Sequence, residues 1–190
     1  MKRAVKNFSI YEQALNLAAA RKPQNLGQVA IISRRDFEER ATFLFRAQTP
    51  VLEYVSLMIE NALLLRANRT GRVYVGFEKL SRMEAVADRY LRIADLCERI
   101  YVFGEPDWMP PRHPNMRVME VREEDRLARE WFLIAESSTL RAALVGLDED
   151  GFEARAMEEL NYSALKSSDP GIITQLASSI EGLIDTSMAA

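Results

Sequence analysis

Over the first third of this 190-residue chain, apolar residues recur every three or four positions, the period of a helix that buries one side. Ser9, with Glu12 three residues on, forms a capping pair ahead of Ile10, Ala14, Leu15 and Leu17, and Pro23 sets the end of that helix. After the break at 22–27, Val29-Ala30-Ile31-Ile32 reads as a short strand or as the lead-in to a helix. That helix would begin at Ser33 or Asp36 and run to Phe45, with Phe37, Ala41, Leu44 and Phe45 as its apolar face. Thr49 and Pro50, as cap and first helical residue, open a long apolar helix expected to end near Asn68.

The pattern changes at Thr70-Gly71. Residues 72–77 are β-branched and aromatic and predict a strand. Met83, Val86, Ala87, Tyr90, Ile93, Ala94 and Cys97 then return to helical spacing, predicting a helix over 81–98, and 100–103 reads as a second strand. Residues 105–115 carry four prolines and no period, so a loop is expected. Further strands are expected at 117–121, 130–136 and 139–147, the last two joined by a tight turn at Ser137-Ser138. Residues 148–151 read as a polar turn, 152–158 are ambiguous, and 160–165 reads as another strand. Asp169-Pro170 caps a closing helix. In the strand 131–135, Trp131, Leu133 and Ala135 face one way and Phe132 and Ile134 the other; both faces are apolar, as in a central strand.

This order predicts an α+β fold: a small, mostly antiparallel sheet with one strand–helix–strand unit at 73–103, packed by N-terminal helices and a C-terminal helix. One domain is expected over 1–190, with a helical part at 1–68 and the sheet-containing core at 69–190. The apolar stretch 51–65 is interrupted by Glu53, Ser56, Glu60 and Asn61 and is too short to span a bilayer. It reads as a core or interface helix, and its surplus apolar surface suggests a homodimer. No secretory leader is recognisable after the basic start, so a cytoplasmic protein without membrane contact is expected.

Composition narrows the chemistry. One Cys and one His leave no zinc cluster and no internal disulfide, and a net charge of −3 argues against nucleic acid as the principal partner. The glycines form no phosphate-binding signature, and no G-x-S-x-G elbow supports a serine nucleophile. His113, between prolines, reads as a surface histidine, and Cys97, in line with Tyr90 and Ile93, reads as core. Glu123-Glu124-Asp125 and Asp148-Glu149-Asp150 lack the spacing of a calcium loop and read as turns. No catalytic residue or metal ligand is indicated, and the sequence leaves the cofactor unassigned, a bound chromophore included.

The run Arg89-Tyr90-Leu91-Arg92-Ile93-Ala94-Asp95-Leu96-Cys97-Glu98-Arg99-Ile100-Tyr101-Val102-Phe103-Gly104, preceded by the strand 73–77 and followed by Glu130-Trp131-Phe132-Leu133-Ile134, resembles the DICT sensory domain. The name stands for diguanylate cyclases and two-component systems. The likeness is clearest over 72–147, more diffuse through the last helix and weaker over 8–65. It implies a sensory module, linked to light responses and usually fused to an output domain. This chain holds no recognisable cyclase, kinase or helix-turn-helix segment, so a stand-alone module acting through a signalling partner protein is expected. Phe77, Arg89, Tyr90 and Trp131 are the candidate ligand-binding residues, an apolar set with one polar head. The alternative is a small enzyme using Glu78 and Glu130 as acid and base.

Overall fold

The computed structural model describes residues 6–66, 68–151 and 156–188. The chain runs α1 (Ile10–Ala19), β1 (Gln24–Gln28), α2 (Arg34–Glu39), β2 (Thr42–Gln48), α3 (Thr49–Leu65), β3 (Asn68–Lys79), a 3₁₀ turn (Leu80–Val86) and α4 (Ala87–Leu96). It continues through β4 (Cys97–Glu105), β5 (Met116–Glu120), a second 3₁₀ turn (Arg126–Arg129), β6 (Glu130–Glu136), β7 (Arg141–Asp148), a third (Met157–Glu159), β8 (Asn161–Ser167) and α5 (Pro170–Met188).

The strands make one sheet in the order β1-β2-β8-β7-β6-β3-β4-β5. The α+β class holds, but the sheet is mixed rather than mostly antiparallel. The pairs from β2 through β8, β7 and β6 to β3 are antiparallel, whereas β1 with β2, β3 with β4 and β4 with β5 run parallel. The unit at 73–103 is therefore not the one place with a parallel connection. The proline-rich loop carries the chain back from β4 to β5 without a helix, and α2 does the same between β1 and β2.

The largest correction falls in the N-terminal part, which is not helical throughout. The expected helix through Phe45 is cut to six residues, and Thr42–Gln48 is a strand paired with β8. Phe43, Phe45 and Ala47 are buried on one face at a spacing of two, and over so short a window that spacing overlaps with a helical one. At α3 the N-cap position is Gln48, not Thr49, whose hydroxyl instead donates to the Met157 carbonyl. The helix expected over 81–98 begins as the 3₁₀ turn and ends at Leu96. Of the ambiguous stretch, residues 152–155 lie outside the described residues.

Helices cover both faces of the sheet. On one, α3 and α4 pack over Val73, Val75, Trp131, Leu133 and Leu144; on the other, α1 and α5 pack over Tyr74, Phe132, Ile134 and Val145. The alternation expected of residues 131–135 holds, and β6 lies inside the sheet with β3 and β7 as neighbours. Gly76 sits level with Phe103 of β4 and Phe132 of β6, whose rings are 5.6 Å apart. A Cβ there would lie 2.2 Å from Phe132 Cε1, so a side chain and the Phe132 ring exclude each other.

Glu130 anchors α1 to the sheet. Its buried carboxylate accepts from the Ser9 hydroxyl and from the backbone N–H groups of Ile10 (2.8 Å) and Tyr11 (3.1 Å), while Ser9 Oγ caps Glu12 N. The open donors of a helix N-terminus are thus met by a residue about 120 positions away in sequence. Burial pushes the Glu130 carboxyl up to about 7, against the pull of these donors and of Arg126. Because the folded value lies above the unfolded 4.5, Glu130 contributes stability that is complete below pH 4.5 and lost as pH rises through 7.

Urea denaturation is expected to show a fall of about 3 kcal/mol across that window from this group, and Glu130→Gln should flatten the difference. A pH dependence unchanged in the variant would contradict the assignment. Gly76→Ala should cost about 2 kcal/mol or more in the same assay. Gly146→Ala, whose added carbon meets the end of the Leu52 side chain at 2.9 Å, should cost less.

Candidate functional site

Between α3 and the wall formed by the 3₁₀ turn and α4 lies a cleft of about 440 Å³, floored by the centre of the sheet. All four residues expected at a ligand site, Phe77, Arg89, Tyr90 and Trp131, line it. β3 supplies Phe77, β6 the Trp131 opposite it in register, and α4 the other two. Phe77 and Tyr90 meet edge to face with ring centroids 5.3 Å apart, and Trp131 meets Tyr162 the same way at 6.0 Å.

The polar groups of the cleft tie its walls to one another. Tyr90 Oη donates to Glu60 Oε1 (2.8 Å), Arg89 Nε lies 3.4 Å from Glu60 Oε2, and Arg89 Nη1 donates to Asn61 Oδ1 (3.0 Å). Trp131 Nε1 donates to Ser56 Oγ (3.1 Å), fixing the indole to α3. Burial pushes the Glu60 carboxyl up, partly offset by Tyr90 and Arg89, and drives the Tyr90 hydroxyl well above its usual range. Tyr90 is buried at the contact between α3 and α4, whereas Arg92 on the same helix is exposed.

Behind the cleft is a second ion pair. Glu78 is wholly buried, pairs with Arg82 and accepts from Tyr162 Oη (3.2 Å), and its Oε1 has no hydrogen-bond partner. Its backbone is left-handed, with φ of 62°, at the register shift where β3 leaves its ladder with β4. A non-glycine residue held so costs of order 1–3 kcal/mol, and a half-satisfied buried carboxylate costs more. Such local cost is concentrated at functional sites in general. Arg82 itself lines the cleft.

Sequence reasoning passed over Glu53, Ser56, Glu60 and Arg82 as parts of a site. Glu53, Ser56, Leu57 and Glu60 on α3 and Arg82, Ala85, Val86 and Arg89 on the facing wall share the spacing i, i+3, i+4, i+7. That matched pair of stripes, acidic on one element and basic on the other, was the available signal. The polar positions in 51–65 weighed only against a membrane span, and none of the described helices is long and apolar enough to cross one. The apolar residues of α3 cover the chain's own sheet, which removes most of the surplus surface that suggested a homodimer; Tyr54 (42% exposed) and Leu65 (85%) remain outside.

Glu78 and Glu130 do not converge. Glu78 meets Tyr162 on the α3 side of the sheet, and Glu130 meets Ser9 and Ile10 on the α1 side. The acid–base pair considered from sequence is therefore split by the sheet. His113 is partly buried rather than free on the surface: Nε2 lies 3.1 Å from Asp95 Oδ1 and Nδ1 accepts from Asn115 N. Cys97 is buried in the core and its thiol is pushed up to about 11 by burial. Among the described residues no group of His, Cys, Asp and Glu could hold a metal ion.

The profile of DICT, a sensory domain in diguanylate cyclases and two-component systems, matches residues 39–148. The chain belongs to the DICT family. The matched segment contains β2 to β7 and every wall of the cleft except Met157. No curated protein matches the DICT chain in sequence. Among solved structures it is similar to TrmBL2, an archaeal chromatin protein, at 10% identity and a TM-score of 0.50, over 93% of this chain and 59% of that one. It also matches polyphosphate kinase from Porphyromonas gingivalis (16% identity, TM-score 0.47, 74% of this chain and 23% of that one). A third match is the phospholipase D family member Nuc from Salmonella typhimurium (10% identity, TM-score 0.36, 76% and 93%). The DICT chain thus spans about three fifths of the chromatin protein, and the likeness is one of fold alone.

Arg82→Met leaves Glu78 buried without its cation and should destabilise the protein by about 3 kcal/mol in chemical denaturation. The double variant Glu78→Gln/Arg82→Met should recover more than half of that. Additive losses would show that the two side chains do not act as a pair.

Proposed function

We propose that this DICT protein is a sensory module whose input is a small molecule held in the cleft at Phe77, Arg89, Tyr90 and Trp131, and whose output passes to a signalling partner. The observation that carries this reading is the cleft, with its aromatic floor, few polar groups and a volume suited to a small ligand. Its walls are joined by Tyr90–Glu60 and Arg89–Asn61, so a molecule that inserts between them acts on the relative position of α3 and α4. A ligand that favours one arrangement of the two helices shifts the population toward it, and that shift is the signal. Family membership supports signalling as the context.

A cytoplasmic module working as a homodimer would use the exposed Tyr54 and Leu65 on α3, and a light response requires a pigment among the ligands. A catalytic role is not part of this reading, since the family is a sensory one.

Native mass spectrometry of the protein purified from its own host should show a bound small molecule. Leu57→Trp, which fills the cleft from a half-buried position, should lose it while keeping its melting temperature. The reading fails if wild type carries nothing and no host metabolite extract raises its melting temperature. An absorption spectrum from the near ultraviolet to the red tests the pigment, and light scattering at micromolar concentration tests the dimer.

A further inference from the structure

Among the described residues, the charges at the cleft are unevenly paired. Arg89 is matched by Glu60 and Arg82 by Glu78, and both carboxylates are buried. Each guanidinium is therefore already engaged by an anion of the protein. Glu53, on the same face of α3 as Glu60, lines the cleft and has no cationic partner among the described residues. The charged group acting on it is Glu158, which is also negative and adjoins the cleft residue Met157. Beside Glu53 stands Tyr54, with Trp131 and Phe77 on the floor.

An anion entering this space would compete with Glu60 and Glu78 for their guanidiniums while being repelled by Glu53 and Glu158. A cation meets the exposed Glu53 at the rim of the cleft without displacing any existing pair. The aromatic rings add the favourable interaction of a π face with positive charge. We propose that the ligand of the cleft is an aromatic molecule carrying a cationic amine. The ring occupies the aromatic recess and the amine faces Glu53. The proposal rests on the ligand-binding reading above and adds the charge and chemical class of what is bound.

Two probes of one ring framework and opposite charge test it: 9-(aminomethyl)anthracene, a cation at neutral pH, and 9-anthracenecarboxylate, an anion. Titrated into the full chain at pH 7.5 and read by calorimetry, the cation should bind at least tenfold more tightly. Glu53→Gln, at an exposed position that does not endanger folding, should narrow the ratio to below threefold. Leu57→Trp should weaken both probes. Equal affinities, a preference for the anion, no binding of either probe, or a ratio unchanged in Glu53→Gln overturns the charge assignment and leaves the ligand-binding reading to its own test. If Leu57→Trp leaves both probes bound as before while native mass spectrometry finds no ligand, the cleft reading itself falls.

Discussion

Two consecutive residues of β6 govern the arrangement of this protein. The pleat sends Glu130 to one face of the sheet and Trp131 to the other. Glu130 closes the N-terminus of α1 and so fixes the helical layer on its side; Trp131 reaches Ser56 on α3 and floors the cleft. A slip of one residue in the register with β3 or β7 would exchange the two and place a carboxylate under the cleft and an indole at a helix N-terminus. The apolar contacts on both faces of β6 make that slip costly, so the strand that holds the core together also keeps scaffold and site on separate sides.

The site follows from how that core is covered. Neither α3 nor α4 seals the sheet on its side, because the chain enters α4 through a 3₁₀ turn and the first part of this wall stands apart from α3. The gap is crossed by the Tyr90–Glu60 and Arg89–Asn61 hydrogen bonds and the Arg89–Glu60 ion pair. Contacts of this kind can be exchanged for contacts to a ligand at small net free energy, since the groups they release find new partners. The left-handed backbone and half-satisfied carboxylate of Glu78 lie next to the same gap. The costly local structure at Glu78 and the cleft share Arg82, which fits a site that the fold maintains at some cost.

Much of the fold was legible because its signals are local. The alternation at 131–135, the capping residues Ser9 and Asp169 and the long helix opened by Pro50 each follow from a few neighbouring residues. The strand at 42–48 was not legible, since Phe43 and Phe45 fit a helical face as well as a strand until β8 is placed beside them. Sheet direction was hidden for a similar reason: the loop from β4 to β5 carries no helix to mark a parallel return. The four candidate residues share a cleft because β3, β6 and α4 each had the expected type, whereas the acidic stripe of α3 gained meaning only from the basic stripe facing it.

By itself the sequence determined the class of the fold, the identity of its central strand and membership in the DICT family, all properties of short segments read one at a time. The tertiary structure decided which charges meet. It gave Glu130 to a helix N-terminus and Glu78 to Arg82, divided two carboxylates considered as an acid–base pair, and left Glu53 without a cationic partner among the described residues. The reason is one of distance: ion pairing and desolvation act over a few ångströms between residues up to 148 positions apart, and only the folded chain sets those distances.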